Sequence, residues 1–477
     1  MKRFVFSIAI SCLATGAVLN AQAPRAATTP QEKLAREVYE ELVEINTADS
    51  TGSVTRAARA MAKRFTDAGF PAADVQVLIP ETDTTKGNLV VRYRGRSNAR
   101  GKPLLLLAHL DVVAALRSDW PRDPFTLFEE NGFFYGRGSS DDKAMAAMFV
   151  ANLLTYRQQG WKPDRDLILA LTAGEESGYF NGVEFLLEKH RDLIDAAYSI
   201  NEGGGGALSG QGMNVKPLYL SVQAAEKVPE NYTLTVTNIG GHSSVPLPDN
   251  AIYSLADGLA RLSRYAFPVA LNPVSRGFFE ATAKLAEPDV AAAMRAIAAN
   301  PLDSAAATRL STEPRYASIL RTTCVATLLS GGHATNALPQ TATANVNCRI
   351  APTSSADETL ATLRRVLADT AIRISYRDPV RELFPKSADA INPELMTAVT
   401  ALTRQMFGDI PVIPVMSTGA TDGRFLRAAG IPTYGVSGIF SLPAETNAHG
   451  RDEKLRTKSF YDGLAFLDAL VRRLATK

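Results

Sequence analysis

Acids and one histidine recur at the ends of apolar runs in this sequence. The run "LLLLAHLDVV" (104–113) ends on His109 and Asp111, and "LTAGEESG" (171–178) carries Glu175 and Glu176. "SINEGGGG" carries Glu202, and "GRGSSDDKA" (136–144) places Asp141 and Asp142 at the start of a helix-like stretch. If the runs are strands of one open α/β sheet, ligands sit outside their carboxyl ends, and four separate segments deliver carboxylate or imidazole to one edge. Such a cluster of anions repels itself unless a positive charge sits among them. A pair of divalent cations meets that need, and His with carboxylate ligands suits zinc.

Each element alone has a plain structural reading. Ser139 with Asp142 three residues on fits a capping box, and Asp141 is favourable at a helix N-terminus. A Glu-Glu pair before a helix is common, and a lone His109 would fit a hydrogen-bonded core histidine. His190, in "LLEKHRD", reads as an ordinary helix residue. What points to chemistry is their joint occurrence at successive strand ends.

The elements that must position these groups are legible in outline. Leu34, Val38, Leu42 and Ile45 recur at helical spacing, and "RAARAMAKRFTDAGF" closes on Gly69. The run at 104–113 is continuously apolar, as expected of a strand covered on both faces. "FTLFEENGFFYGRG" alternates around Asn131-Gly132, a hairpin signal. A helix is expected from Ser139 to about Gly160, then further strands and helices in alternation. This predicts an α/β fold with a mostly parallel sheet and helices on both faces. The texture changes near Leu218. Strand-like runs, a helix at 250–265, an alanine-rich helical stretch (about 275–310), and strands at 322–329 and 341–350 predict an inserted α+β domain over 218–371. The catalytic domain then comprises 24–217 and 372–477. The chain closes on a helix with Phe460, Leu464, Leu467, Leu470, Val471 and Leu474 on one face.

Composition narrows the classes. Of 477 residues, 46% are hydrophobic and 21% charged, and the net charge is +2 with no run of like charges. That excludes an electrostatic footprint for nucleic acid. Residues 1–23, with "MKR", an apolar run and "NAQA", read as a signal peptide, so the expectation is an exported protein, periplasmic or secreted, with no membrane span in the mature chain. Cys324 and Cys348 are the cysteines beyond that segment; one disulfide and two free thiols are both open.

Quoted in order, "HLDVV", "WPRDPF", "NGFFYGRGSSDDK", "GEESG", "NEGG", "GGHSS", "NALP", "NCR", "TDGRFL" and "NAHGRDE" resemble the co-catalytic zinc metallopeptidases and amidohydrolases. That family includes glutamate carboxypeptidase, aminoacylase, succinyl-diaminopimelate desuccinylase and carboxypeptidase S. The resemblance runs from about residue 30 to the C-terminus and is nearest the carboxypeptidase S branch. Ala144 stands where the family usually has Gly, and "AGEE" where it often has Asp before the glutamates; neither departure touches a ligand position.

The resemblance implies roles. Asp141 bridges two Zn2+ ions (Co2+ or Mn2+ being alternatives); His109 and Glu202 complete one site, Glu176 and His449 the other. Asp111 holds the His109 imidazole. A metal-bridging hydroxide attacks the amide, with Glu175 as general base and His242 steadying the oxyanion. In several relatives that histidine comes from the partner of a homodimer formed by the inserted domains. Asn336, Arg349, Thr418 and Gly419 line the substrate site, with Asn336 and Arg349 on the substrate's free carboxylate. His333 receives no role. The expected function is hydrolysis of a small peptide or N-acyl amino acid beside a free carboxylate, as carboxypeptidase, dipeptidase or N-acyl-amino-acid hydrolase. N-carbamoyl hydrolysis on the same scaffold and an inactive binding relative are the alternatives. A serine hydrolase is disfavoured, because "GVSGIF" lacks the G-x-S-x-G spacing.

Overall fold

The computed structural model describes residues 26–97, 101–176, 179–377 and 391–476; the expected signal segment, 1–23, lies outside the described residues. Strands Leu104–His109 and Leu167–Thr172 are buried at every position. Leu104, Leu106 and Ala108 enter one hydrophobic core, while Leu105 and Leu107 enter another on the opposite face. This is the period-two consequence of a strand sandwiched between helical layers. Helices Pro30–Glu44, Lys143–Gln158 and Thr457–Ala475 contribute to the first core. Gly182–Lys189 and Gly423–Ala428 contribute to the second.

The middle of the large sheet runs Leu167–Thr172, Leu104–His109, Tyr198–Asn201, Thr433–Gly435, all parallel. Antiparallel pairs lie outside these four, with Asn88–Tyr93 on one side and Asn214–Glu226 on the other. The expected hairpin forms from Phe128–Glu130 and Phe133–Tyr135, turning on Asn131 (φ 52°) and Gly132 (φ 79°). Strand Lys454–Arg456 pairs with its second arm. That pairing carries the chain near 449 to the 136–141 loop.

A second sheet is antiparallel, ordered Thr323–Gly331, Thr341–Ile350, Val228–Thr237, Arg373–Tyr376. Helices Ala251–Ser263 and Ala356–Leu367 close its separate core. Cys324 and Cys348 face each other in register and form a disulfide.

The limits of this second unit differ from the sequence reading. Leu218 falls inside strand Asn214–Glu226, which stays in the large sheet, and Lys227 alone separates it from Val228–Thr237. The texture changes early because the strand's first half is an exposed ribbon and its second half is buried. At the far end, Arg373–Tyr376 still pairs with Val228–Thr237, past 372. The four helices between Pro273 and Leu320 pack into the large core, not the small one. Helical periodicity reports a buried face without saying what covers it.

Candidate metal centre

Three adjacent parallel strands end side by side, and the acids stand just past their last residues. His109 closes one strand opposite Thr172 in register, Glu175 and Glu176 stand just beyond Thr172, and Glu202 comes directly after Asn201. Asp141 arrives from the loop before helix Lys143–Gln158, and His449 from the loop before Lys454–Arg456.

These residues converge. His109 Nε2 lies 3.0 Å from Asp141 Oδ1 and 3.8 Å from Glu202 Oε2. His449 Nε2 lies 3.2 Å from Asp141 Oδ2 and 2.9 Å from Glu176 Oε1. Asp141 therefore offers one oxygen to each of two half-sites. Ligand atoms of His109, Asp141 and Glu176 all fall within 4.8 Å of one another, and so do those of His109, Glu175 and Glu202.

The electrostatics fit a cation. Burial, with Glu202, Asp422 and Glu176 acting against His109, pushes Glu175 up to about 10. Burial likewise pushes Glu176 up to about 7, with Asp141 adding to it against His109. Glu202 and Asp142 are also raised, by burial first. Asp141 moves the other way, because its hydrogen bonds to His109 and His449 outweigh its burial. His449 rises to about 9, chiefly through its hydrogen bond to Asp141. Buried carboxyls that resist ionisation together, beside two imidazoles, are a donor set that divalent ions would relieve.

His109 is oriented differently from expectation. Its Nδ1 faces the backbone oxygen of Asp111 at 3.0 Å, while the Asp111 carboxylate is 3.8 Å away. A carbonyl only accepts, so Nδ1 carries a proton; Nε2, facing the Asp141 carboxylate, is the ring atom that a bound cation would take in place of a proton. The Asp111 carboxylate instead accepts the amides of Glu175 (3.2 Å) and Glu176 (3.0 Å), tying that corner to the His109 strand.

The capping box at Ser139 and Asp142 does not form. Helix Lys143–Gln158 begins after Asp142, which makes no side-chain cap bond. Ser139 Oγ and Asp142 Oδ2 lack a hydrogen-bond partner among the described residues. Asp142 lies buried near the charges of Glu202, Asp141 and Asp422.

Two further acids, beyond the expected ligands and base, hold the site. Glu453 accepts hydrogen bonds from Arg137 Nη1 (2.7 Å), Gly138 N (2.9 Å), Ser140 N (2.7 Å), Ser140 Oγ (2.9 Å) and Asp141 N (3.1 Å). Asp422 accepts from Thr172 Oγ1 (2.9 Å) and Asn181 Nδ2 (2.5 Å). Their signal is their place in "NAHGRDE" and "TDGRFL".

Other expected residues stand apart from the cluster. His242 is exposed on a short ribbon, Gly241–His242 against Ala337–Leu338, with Nδ1 accepting the Ser244 amide at 3.1 Å. Asn336, also exposed, accepts the Ser243 amide at 3.0 Å. Among the described residues, no hydrogen bond or ion pair joins either to the cluster. Arg349 is half-buried, and burial followed by Arg424 lowers its pKa. Thr418 and Gly419 lie in the loop after strand Val412–Ser417, where Gly419 N donates to Ser417 Oγ at 3.1 Å. The His190 ring packs on Phe185, and His333 is exposed. Beside the cluster opens a cavity of about 520 Å³, reaching from Asp141 and Glu202 along Gly203–Gly206 to Tyr219 and Ile439.

Residues 105–473 match the model of Peptidase family M20/M25/M40. A probable carboxypeptidase S-like protein of Dictyostelium discoideum is 27% identical over 405 residues, covering 81% of this chain and 75% of its own. A Homo sapiens N-fatty-acyl-amino acid synthase/hydrolase is 28% identical over 384 residues, covering 79% of this chain and 74% of its own. In fold, the chain is similar to a metallo-carboxypeptidase of Sulfolobus solfataricus, with TM-score 0.66, 20% identity, and coverage of 92% of this chain and 98% of that one.

Proposed function

The chain belongs to Peptidase family M20/M25/M40, and from that premise we propose a di-zinc hydrolase, exported by its cell, that cleaves an amide bond beside a free carboxylate. The observation that carries the reading is the division of Asp141 between His109 and His449. His109 and Glu202 would hold one ion, Glu176 and His449 the other, with Asp141 between them. Zinc suits these donors, and cobalt or manganese would also fit. When bound, the pair supplies Lewis acidity and lowers the pKa of a water.

The protein groups do the rest. Glu175, buried beside His109 and Glu202, takes the proton of the attacking water and passes it to the leaving nitrogen. Arg349 takes the substrate carboxylate. In support, the charges acting on buried Lys227 come from Arg349 and Arg321, and the one acting on Arg349 comes from Arg424. Lys227 and Arg349, each depressed by burial and by a neighbouring cation, are groups whose charge an anion would stabilise.

His242 steadies the oxyanion, supplied by the partner subunit of a homodimer formed through the small sheet. The support is an apolar face on edge strand Thr323–Gly331, where Val325, Leu328 and Leu329 are exposed, beside Ile252 and Tyr253 of helix Ala251–Ser263. Exposed apolar edge strands are templates for pairing. Export is supported by the composition of residues 1–23 and by the Cys324–Cys348 disulfide, which persists in oxidising compartments. No helix of the described residues is long and apolar enough to cross a membrane.

The test is metal analysis of pure protein, coupled to a panel of dipeptides and N-acyl amino acids with free and blocked C-termini. Cleavage confined to free carboxylates, lost to a chelator and restored by zinc, is expected. Equal cleavage of blocked substrates would overturn the carboxylate assignment.

A further inference from the structure

We propose that Thr421 and Asp422 form a strap across the carboxyl edge of the large sheet, anchored by Glu226, that sets the spacing between the two metal half-sites; the inference rests on the two-ion reading above. Strands Leu167–Thr172 and Tyr198–Asn201 flank strand Leu104–His109. They therefore stand two strand spacings, roughly 9–10 Å, apart. Glu175 and Glu176 lie just past the first and Glu202 just past the second. Acids gathered on one edge repel one another, so these two strand ends spread unless they are tied.

Two consecutive residues supply the tie. Asp422 accepts from Thr172 Oγ1 at 2.9 Å, and Thr421 Oγ1 accepts from Asn201 Nδ2 at 3.3 Å. Adjacent Cα atoms are about 3.8 Å apart, so neither strand end moves far from the other without breaking one of these bonds. The Thr421 hydroxyl also accepts from Gly423 N at 3.0 Å and donates to Glu226 Oε2 at 3.0 Å. One donor and two acceptor sites are all that a hydroxyl has, and here each is used.

Glu226 fixes the strap to the sheet. Its buried carboxylate takes the Thr421 amide at 2.7 Å on Oε2 and pairs with buried Arg427 on Oε1. Arg427 Nη2 donates in turn to Thr433 O at 2.7 Å, on the strand beside Tyr198–Asn201. Ser417 faces Glu226 in register, so the loop carrying Thr418 and Gly419 is pinned at both ends by one residue. A buried ion pair adds little stability over an apolar pair of the same volume; its effect here is to hold Thr421 in one place. Among the described residues, no hydrogen bond or ion pair joins Thr421 or Glu226 to His109, Asp141, Glu176, Glu202 or His449. Both are positioning residues that act on Glu202 through its neighbour Asn201.

The experiment measures zinc binding to full-length protein by competition with a chromophoric chelator, and the occupancy of each zinc by anomalous diffraction. Thr421→Val keeps the shape and the amide bond to Glu226 but loses the hydroxyl. The zinc between His109 and Glu202 should then bind about 10–100-fold more weakly, its peak fading first, while the zinc at Glu176 and His449 keeps its affinity. Thr421→Ser restores the hydroxyl and should bind both ions as the native chain does. If Thr421→Val fails to fold, Glu226→Gln decides. Its side-chain oxygen stays with Arg427 and its NH2 group meets the Thr421 N–H, so the strap loses its anchor and the same selective loss should follow. Unchanged affinity at both ions, with a lower melting temperature of the metal-free protein, would make the bond merely structural and overturn the proposal. Equal weakening of both ions would overturn it too, because the spacing is then not what changed. A native chain that binds one zinc or none would overturn the two-ion reading and the strap with it.

Discussion

The carboxylate of Glu453 accepts the backbone amide of Asp141 at 3.1 Å, across 312 residues of chain. The same carboxylate pairs with buried Arg137 and takes three more hydrogen bonds from the loop between them. Asp141 is thus aimed by a residue that touches neither histidine. Truncation to alanine would strand the Arg137 guanidinium, at a cost of about 3–5 kcal/mol, so the informative change is Glu453→Gln. It should leave a folded protein whose metal affinity is lower by about 10–100-fold, read by competition with a chromophoric chelator. Unchanged affinity would remove this positioning role from Glu453.

Glu175 sits in the cluster without being assigned to hold an ion. Glu175→Gln keeps shape and hydrogen bonding but cannot take a proton. Metal content should be unchanged, and kcat should fall by about 10²–10⁴-fold. Retained turnover would hand the base role to another residue.

The parts of this site that sequence can show are the strand-end residues. His109, Glu175, Glu176 and Glu202 are legible because buried parallel strands are short apolar runs whose last residues, and those just past them, share one edge of the sheet. His449 is different. It stands on a loop at φ 62°, with no apolar run leading to it, and only the family resemblance places it. The capping pattern misleads at Asp142 because it is local, whereas the surroundings of that residue, Glu202 and Asp422, come from distant segments. The helices between Pro273 and Leu320 join a core other than the expected one for a related reason: amphipathic spacing predicts a buried face but not its partner.

If His242 serves the neighbouring subunit, two inactive proteins should repair each other. His242→Ala has an intact cluster and base, and Glu175→Gln has an intact His242. Mixing them under conditions that allow subunit exchange should restore activity at one site of each mixed dimer. No recovery, with exchange shown by mass spectrometry, would place His242 in its own chain's site or in none.

Lys227 joins the two sheets, donating to Arg321 O at 2.6 Å. Burial first, then Arg349 and Arg321, lowers its pKa to about 7. In the unfolded chain a lysine titrates near 10.4, so between these values the unfolded state binds a proton that the folded state does not. Stability should therefore rise with pH across that window, and the penalty should be complete below about pH 7. Lys227→Met removes this contribution. Melting temperatures from pH 7 to 10 should rise less steeply for the variant than for the native chain; parallel curves would contradict the assignment.

The most direct test of the two-ion centre is anomalous diffraction from crystals grown with zinc. Two peaks about 3.5–4 Å apart, one touching His109 and Glu202, the other Glu176 and His449, with Asp141 between them, are predicted. A single peak, or peaks away from Asp141, would contradict it.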